Sequence, residues 1–147
     1  MERILVTGGC GFIGSSVIRY LLPHGYSICA IDNFHDNYDV RLKQNNLALI
    51  QKNENANNFC FHKADIRDEQ TLYEICKSFS PDAVIHLAAI PGVSDSLRIP
   101  DMYWDVNVCG TKTLLRVMER VGIPRLVFSS SSSVSLMVIT ASFSRSL

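Results

Sequence analysis

Four residues near the start of the chain have the types and spacing for one kind of chemistry. Gly9, Gly11 and Gly14 form G-x-G-x-x-G within "GGCGFIG" (8–14), directly after the apolar run "RILVT" (3–7) and at the head of "FIGSSVIRYLL" (12–22). The first glycines permit a tight turn, Gly11 lets the backbone approach a pyrophosphate, and Gly14 lets the following helix pack closely on the strand. The helix start offers unpaired N–H groups and the positive end of its dipole to phosphates. Asp32 closes the next apolar run, "SICAID" (27–32), about 20 residues on, where a carboxylate accepts from ribose hydroxyls and repels a 2′-phosphate. A tight βα turn alone would explain the glycines but not the acid. The combination points to a dinucleotide, and to NAD over NADP.

These residues need a scaffold, and short apolar runs alternating with helical patterns supply it. Strands are expected at 3–7, 27–32, 59–65, 82–89 and 125–130, and helices at 12–22, about 40–52, 69–79 and about 102–121. Continuous apolar strands separated by helices imply a parallel sheet covered on both faces. Right-handed crossovers then give an α/β, doubly wound parallel sheet, a Rossmann NAD(P)-binding fold.

Composition excludes other classes. The chain has 147 residues, enough for one domain with its own core, and 47% hydrophobic with 19% charged residues is a globular composition. Zero net charge leaves no electrostatic footprint for nucleic acid. No apolar run approaches the roughly 20 residues of a membrane span. The opening "MERILVTGG" enters a strand at once, so no signal peptide is expected. Five scattered cysteines without C-x-x-C argue for reduced thiols in a cytoplasmic protein, not a disulfide frame or zinc site, and the four histidines share no metal-ligand spacing. His86, inside an apolar strand, reads as a core histidine with satisfied nitrogens.

The form T-G-G-x-G-F-I-G resembles the extended short-chain dehydrogenase/reductase family, specifically its NAD-dependent sugar-nucleotide epimerases and dehydratases. "VIHLAA" (84–89), "NVCGT" (107–111) and "VFSSSSSV" (127–134) are similar to further stretches of that family. "DNFHDNYDVRLK" (32–43) with "AAIPGV" (88–93) looks most like its UDP-glucuronate 4-epimerase branch, although His35 stands where that branch often has asparagine. The resemblance implies that Gly8, Gly11, Phe12 and Ile13 contact the pyrophosphate side of NAD. By the same resemblance Asp32 and Asn33 hold the adenosine ribose, and Asp65 and Ile66 meet the adenine edge. Leu87, Ala88 and Ala89 line the middle of the cofactor, Asn107 supports the nicotinamide end, and Ser131 is the catalytic serine. Residue by residue, a plainer role stands beside each: Asp65 could cap a turn, Asn107 could bond a neighbouring loop, and the serines could be solvated. The implied substrate is a UDP-sugar. The implied partner is a second copy of the chain or a full-length relative, paired through helices of which the one near 102–121 is present and the Tyr/Lys helix is absent, which would weaken the pairing.

The family's chemistry also uses a tyrosine whose phenol, with a free pKa of about 10, is brought down by a lysine one helical turn on, as Y-x-x-x-K after the fifth strand. After Val134 there is neither Tyr nor Lys, and Ser135-Leu136 replaces the family's Y-G. Tyr73 and Lys77 fit the spacing but lie on the helix before the fourth strand, which reads as a surface helix with an i,i+4 pair. The expectation is therefore an NAD-binding domain over 1–134, incomplete on its C-terminal side and inactive alone, with an atypical tail over 135–147; the alternatives are a non-catalytic NAD-binding module or a non-functional gene remnant. A frameshift or interrupted gene would explain the change of composition. "SLMVITASF" would either lie along the fifth strand or stay disordered.

Overall fold

The computed structural model describes residues 1–36, 39–129 and 137–140. Six strands form one sheet in the order β3-β2-β1-β4-β5-β6. β1 (Arg3–Thr7), β2 (Ser27–Asp32), β3 (Phe59–Lys63), β4 (Ala83–His86) and β5 (Arg125–Phe128) run parallel, and β6 (Met137–Thr140) runs antiparallel to β5. The middles of the first two strands are continuously apolar because both sheet faces are covered: four of the five residues of β1 are buried. α1 (Phe12–Leu21) and α2 (Val40–Gln51) lie on one face, over a cluster that includes Ile4, Val6, Ile18, Ile28 and Ala30. α3 (Glu69–Phe79) and the later helices cover the other, over Leu5, Ile31, Leu72, Val84 and Leu114.

β1 has β2 on one side and β4 on the other, so the chain reverses its winding between β1 and β4. In such a sheet the crevice opens at the carboxyl ends of those two strands. There the loops after Thr7, Asp32 and His86 converge, which are the loops carrying the residues singled out above.

The fourth strand is shorter than expected. Past His86 the chain leaves the sheet, because the Thr7 hydroxyl accepts from the N–H of Leu87 (3.1 Å) and of Ala88 (3.2 Å). The helix expected over 102–121 is also not uniform. α4 (Val93–Arg98) and α5 (Pro100–Tyr103) precede a wider π-type stretch over Trp104–Gly110, which leads into α6 (Thr111–Val121). Insertions of this kind collect at functional sites, and this one carries Asn107. The tail takes the ordered course over Met137–Thr140, whose backbone pairs with the edge of β5 that would otherwise face solvent. Ser131 lies outside the described residues.

Candidate functional site

The crevice has a volume of about 750 Å³ and runs from α1 past the ends of β2 and β4 to the π-type stretch. At its α1 end the backbone makes the site. Gly8 has φ +67°, and a Cβ there would come within 2.8 Å of the Ala88 backbone nitrogen, so only glycine closes this turn. A Cβ on Gly14 would lie 2.9 Å from the Gly9 Cα. Gly11 N-caps α1 and no side chain caps it. The first N–H groups of the helix therefore remain for an anion, with Gly11, Phe12, Ile13 and Gly14 lining the crevice there. Phe12 and Ile13 are exposed.

Next to this end stands Asp32, only 5% exposed. Its Oδ2 accepts from the Cys10 backbone N–H at 3.1 Å, and its Oδ1 accepts from the Phe34 N–H at 2.9 Å and from Lys43 Nζ at 3.1 Å. Lys43, from α2, is itself buried, so the two make an ion pair inside the protein. A carboxylate offers about four acceptor positions. The three described bonds leave one, on Oδ2, for an incoming hydroxyl.

Asn33 and Ile66 also line the crevice, and Asp65 does not. The Asp65 carboxylate is taken up by the Arg67 side chain (2.7 and 2.9 Å), the Arg67 N–H (2.9 Å) and Asn33 Nδ2 (2.9 Å). These contacts, led by Arg67, hold its carboxyl well below the usual carboxylate range. Asp65 therefore anchors a turn, and through Asn33 it fixes the crevice wall.

Leu87, Ala88, Ala89 and Asn107 line the remaining length. The Asn107 amide is spent on the loop: Oδ1 accepts from the Ile90 N–H (2.8 Å) and Nδ2 donates to the Ile90 carbonyl (3.0 Å). His86 also lines the crevice, yet it is 1% exposed and both its ring nitrogens are engaged. The bonding order can be followed. The Thr7 hydroxyl oxygen already accepts two N–H groups, so its proton goes to His86 Nδ1 (2.6 Å). His86 Nε2–H then donates to Thr111 Oγ1 (2.9 Å), whose own proton goes to the Asn107 carbonyl (2.7 Å). The neutral ring thus bridges β1, β4 and α6. Burial pushes its pKa down to about 4, which suits a structural imidazole and not a proton shuttle at neutral pH.

Sequence reasoning missed Lys43, His35, Tyr103 and Phe128, which share the crevice. Lys43 follows Asp32 by 11 residues in a helix that is half polar, and only its burial distinguishes it. Tyr73 and Lys77 do not line the crevice; Arg120 packs over the Tyr73 ring at 3.9 Å. At the far edge of the sheet Cys29, Cys60 and His62 come together, a grouping with no signature in linear spacing.

The family model described as GDP-mannose 4,6 dehydratase matches residues 5–135. Among curated proteins, a UDP-glucuronate 4-epimerase of Thermodesulfobacterium geofontis is 45% identical over 134 residues, 91% of this chain and 41% of that protein. UDP-glucose 4-epimerase 2 of Arabidopsis thaliana is 42% identical over 133 residues, 90% of this chain and 37% of its own length. Among solved structures, a UDP-glucose 4-epimerase from Stenotrophomonas maltophila with bound NAD and formylated UDP-arabinopyranose matches with a TM-score of 0.78 at 34% identity. That match covers 91% of this chain and 38% of the other. One from Thermus thermophilus in complex with NAD matches with a TM-score of 0.72 at 32% identity, over 88% and 38%. The chain spans less than half the length of each of these relatives. Among the described residues, no helix is long and apolar enough to cross a membrane.

Proposed function

The chain belongs to the GDP-mannose 4,6 dehydratase family, and from that premise we propose that it is the NAD-binding portion of a nucleotide-sugar 4-epimerase. One observation carries the reading: an uncapped helix N-terminus over glycines that tolerate no side chain, with a buried carboxylate at the end of the neighbouring strand. These residues fit a dinucleotide. The N–H groups at the start of α1 would bind the pyrophosphate, and Asp32 Oδ2 would accept from an adenosine ribose hydroxyl. Ile66 would face the adenine, and the wall at 87–90, held by Asn107, would support the nicotinamide end. The chemistry that NAD supplies is reversible hydride transfer at the sugar C4. The substrate class, a UDP-sugar, rests on the relatives.

Ser131 would hydrogen-bond the hydroxyl to be oxidised. The 147 residues hold one Y-x-x-x-K pair, Tyr73 and Lys77, and the structure sets it on α3 outside the crevice. That favours a second reading for the isolated chain: it binds NAD without catalysing epimerisation, as a module. Pairing with a second copy would use the helices from 93 to 121, where Leu97, Trp104 and Leu115 are exposed.

Calorimetric titration of the purified chain with NAD tests the core of the proposal. Saturable one-to-one binding by a cooperatively melting protein supports it; a folded chain that does not bind NAD refutes it. Conversion of UDP-glucuronate by this chain alone would refute the second reading. Sedimentation as a monomer at high concentration would count against pairing.

A further inference from the structure

Away from the crevice, three side chains that ligate soft metals meet at the free edge of the sheet. Cys29 of β2 and Cys60 of β3 are register partners on adjacent parallel strands. His62 follows Cys60 by two residues and so projects from the same face of β3. One ligand atom from each lies within 4.8 Å of the other two. Cys29 is buried, Cys60 is half-buried and His62 is exposed, so the cluster has a protein floor and an open mouth. We propose that Cys29, Cys60 and His62 form a site for one thiophilic cation, Zn²⁺, with water as the fourth ligand.

The donor set is the main argument. Two thiolates and an imidazole are the ligands zinc takes, at about 2.3 Å for sulfur and about 2.0–2.1 Å for nitrogen. At those lengths a tetrahedron holds its sulfurs roughly 3.8 Å apart, so the present spread must close by about an ångström at most. The rotamers of exposed His62 and half-buried Cys60 allow that movement. Binding displaces the thiol protons still present, up to two per ion, and leaves a neutral Zn(Cys)₂(His) centre with its water. A cysteine can serve as a small core residue, as Cys76 does, its thiol pushed up to about 11 by burial. Packing explains Cys29 in the same way, but it does not account for an imidazole set beside the paired thiols.

The test is a competition titration of the reduced, metal-free chain with Zn²⁺ against a chromophoric chelator, together with Co²⁺ substitution. One ion per chain with Kd below about 1 μM, tetrahedral Co²⁺ bands with thiolate charge transfer, and proton release are expected. Cys60→Ser should weaken binding by about 100-fold or more, and His62→Gln, at an exposed position that leaves the fold intact, by about 10-fold. Cys109→Ser should bind as the parent does. No stoichiometric ion at tens of micromolar Zn²⁺, or parental affinity in both Cys60→Ser and His62→Gln, would overturn the proposal. Loss of binding in Cys109→Ser would place the ion elsewhere and overturn it equally.

Discussion

Replacing Asp32 by asparagine tests whether the buried Asp32–Lys43 pair holds the crevice together. The side chain keeps its shape and loses its charge. One oxygen must then serve the Cys10 and Phe34 N–H groups that two oxygens now share, and Lys43, 7% exposed, is left as a buried cation without its carboxylate. Breaking a buried pair from one side costs about 3–5 kcal/mol, a large share of the roughly 5–15 kcal/mol that stabilises a domain. Lys43→Met is milder, because the remaining carboxylate keeps both backbone donors; about 1–3 kcal/mol is expected. The double variant Asp32→Asn/Lys43→Met also removes the buried cation that Asp32 had balanced, so its loss should fall short of the sum by about 1–3 kcal/mol. Urea unfolding followed by far-ultraviolet circular dichroism measures all four proteins; the single tryptophan, Trp104, is 61% exposed and a poor probe. Asp32→Asn within about 0.5 kcal/mol of the parent, or strict additivity in the double variant, would refute the reasoning. The cycle also bears on cofactor binding. Affinity lost in an Asp32 variant reports the ribose contact only after correction for the unfolded fraction.

Four other outcomes are expected. His86 titrates near 6.5 when unfolded and near 4 when folded, so the unfolded chain binds more protons between those values. Stability from this group is complete above pH 6.5 and falls by about 3 kcal/mol as pH drops to 4; a parent whose unfolding profile matches that of His86→Gln over this range would contradict it. Gly14→Ala should cost about 1–3 kcal/mol through overpacking and lower NAD affinity at least tenfold, read by thermal melts and calorimetry. Asn107→Ala strands the Ile90 N–H and carbonyl, and should cost about 1–3 kcal/mol and weaken NAD binding in the same two measurements. Lys43→Met should sharpen the preference for NAD over NADP in competitive titration, because the Asp32 carboxylate loses the cation that offsets its repulsion of a 2′-phosphate.

Local pattern was enough for much of the fold. The bounds of β1, β2 and α3 follow from apolar runs and polar punctuation, since their burial is decided within the element itself. The glycine turn and Asp32 were legible for the same reason: strand, turn, helix, strand and acid are consecutive along the chain. The helical period over 102–121 showed a helix but not its π-type stretch. That stretch carries contacts to distant residues: Gly110 packs on Ile66, which a Cβ would meet at 2.7 Å, and Asn107 bonds Ile90. α4 is too short and too polar at 93–98 to carry a period. Asp65 resembled a ligand contact in sequence, and only the fold shows Arg67 and Asn33 occupying its oxygens. Lys43 as the partner of Asp32, the proton order through Thr7, His86 and Thr111, and the meeting of Cys29, Cys60 and His62 all join different elements. The amino-acid sequence determined which elements form and where the phosphate turn lies. Which side chains share a proton, a charge or a ligand position was decided by strand register and helix placement, because those interactions act across space between residues far apart along the chain.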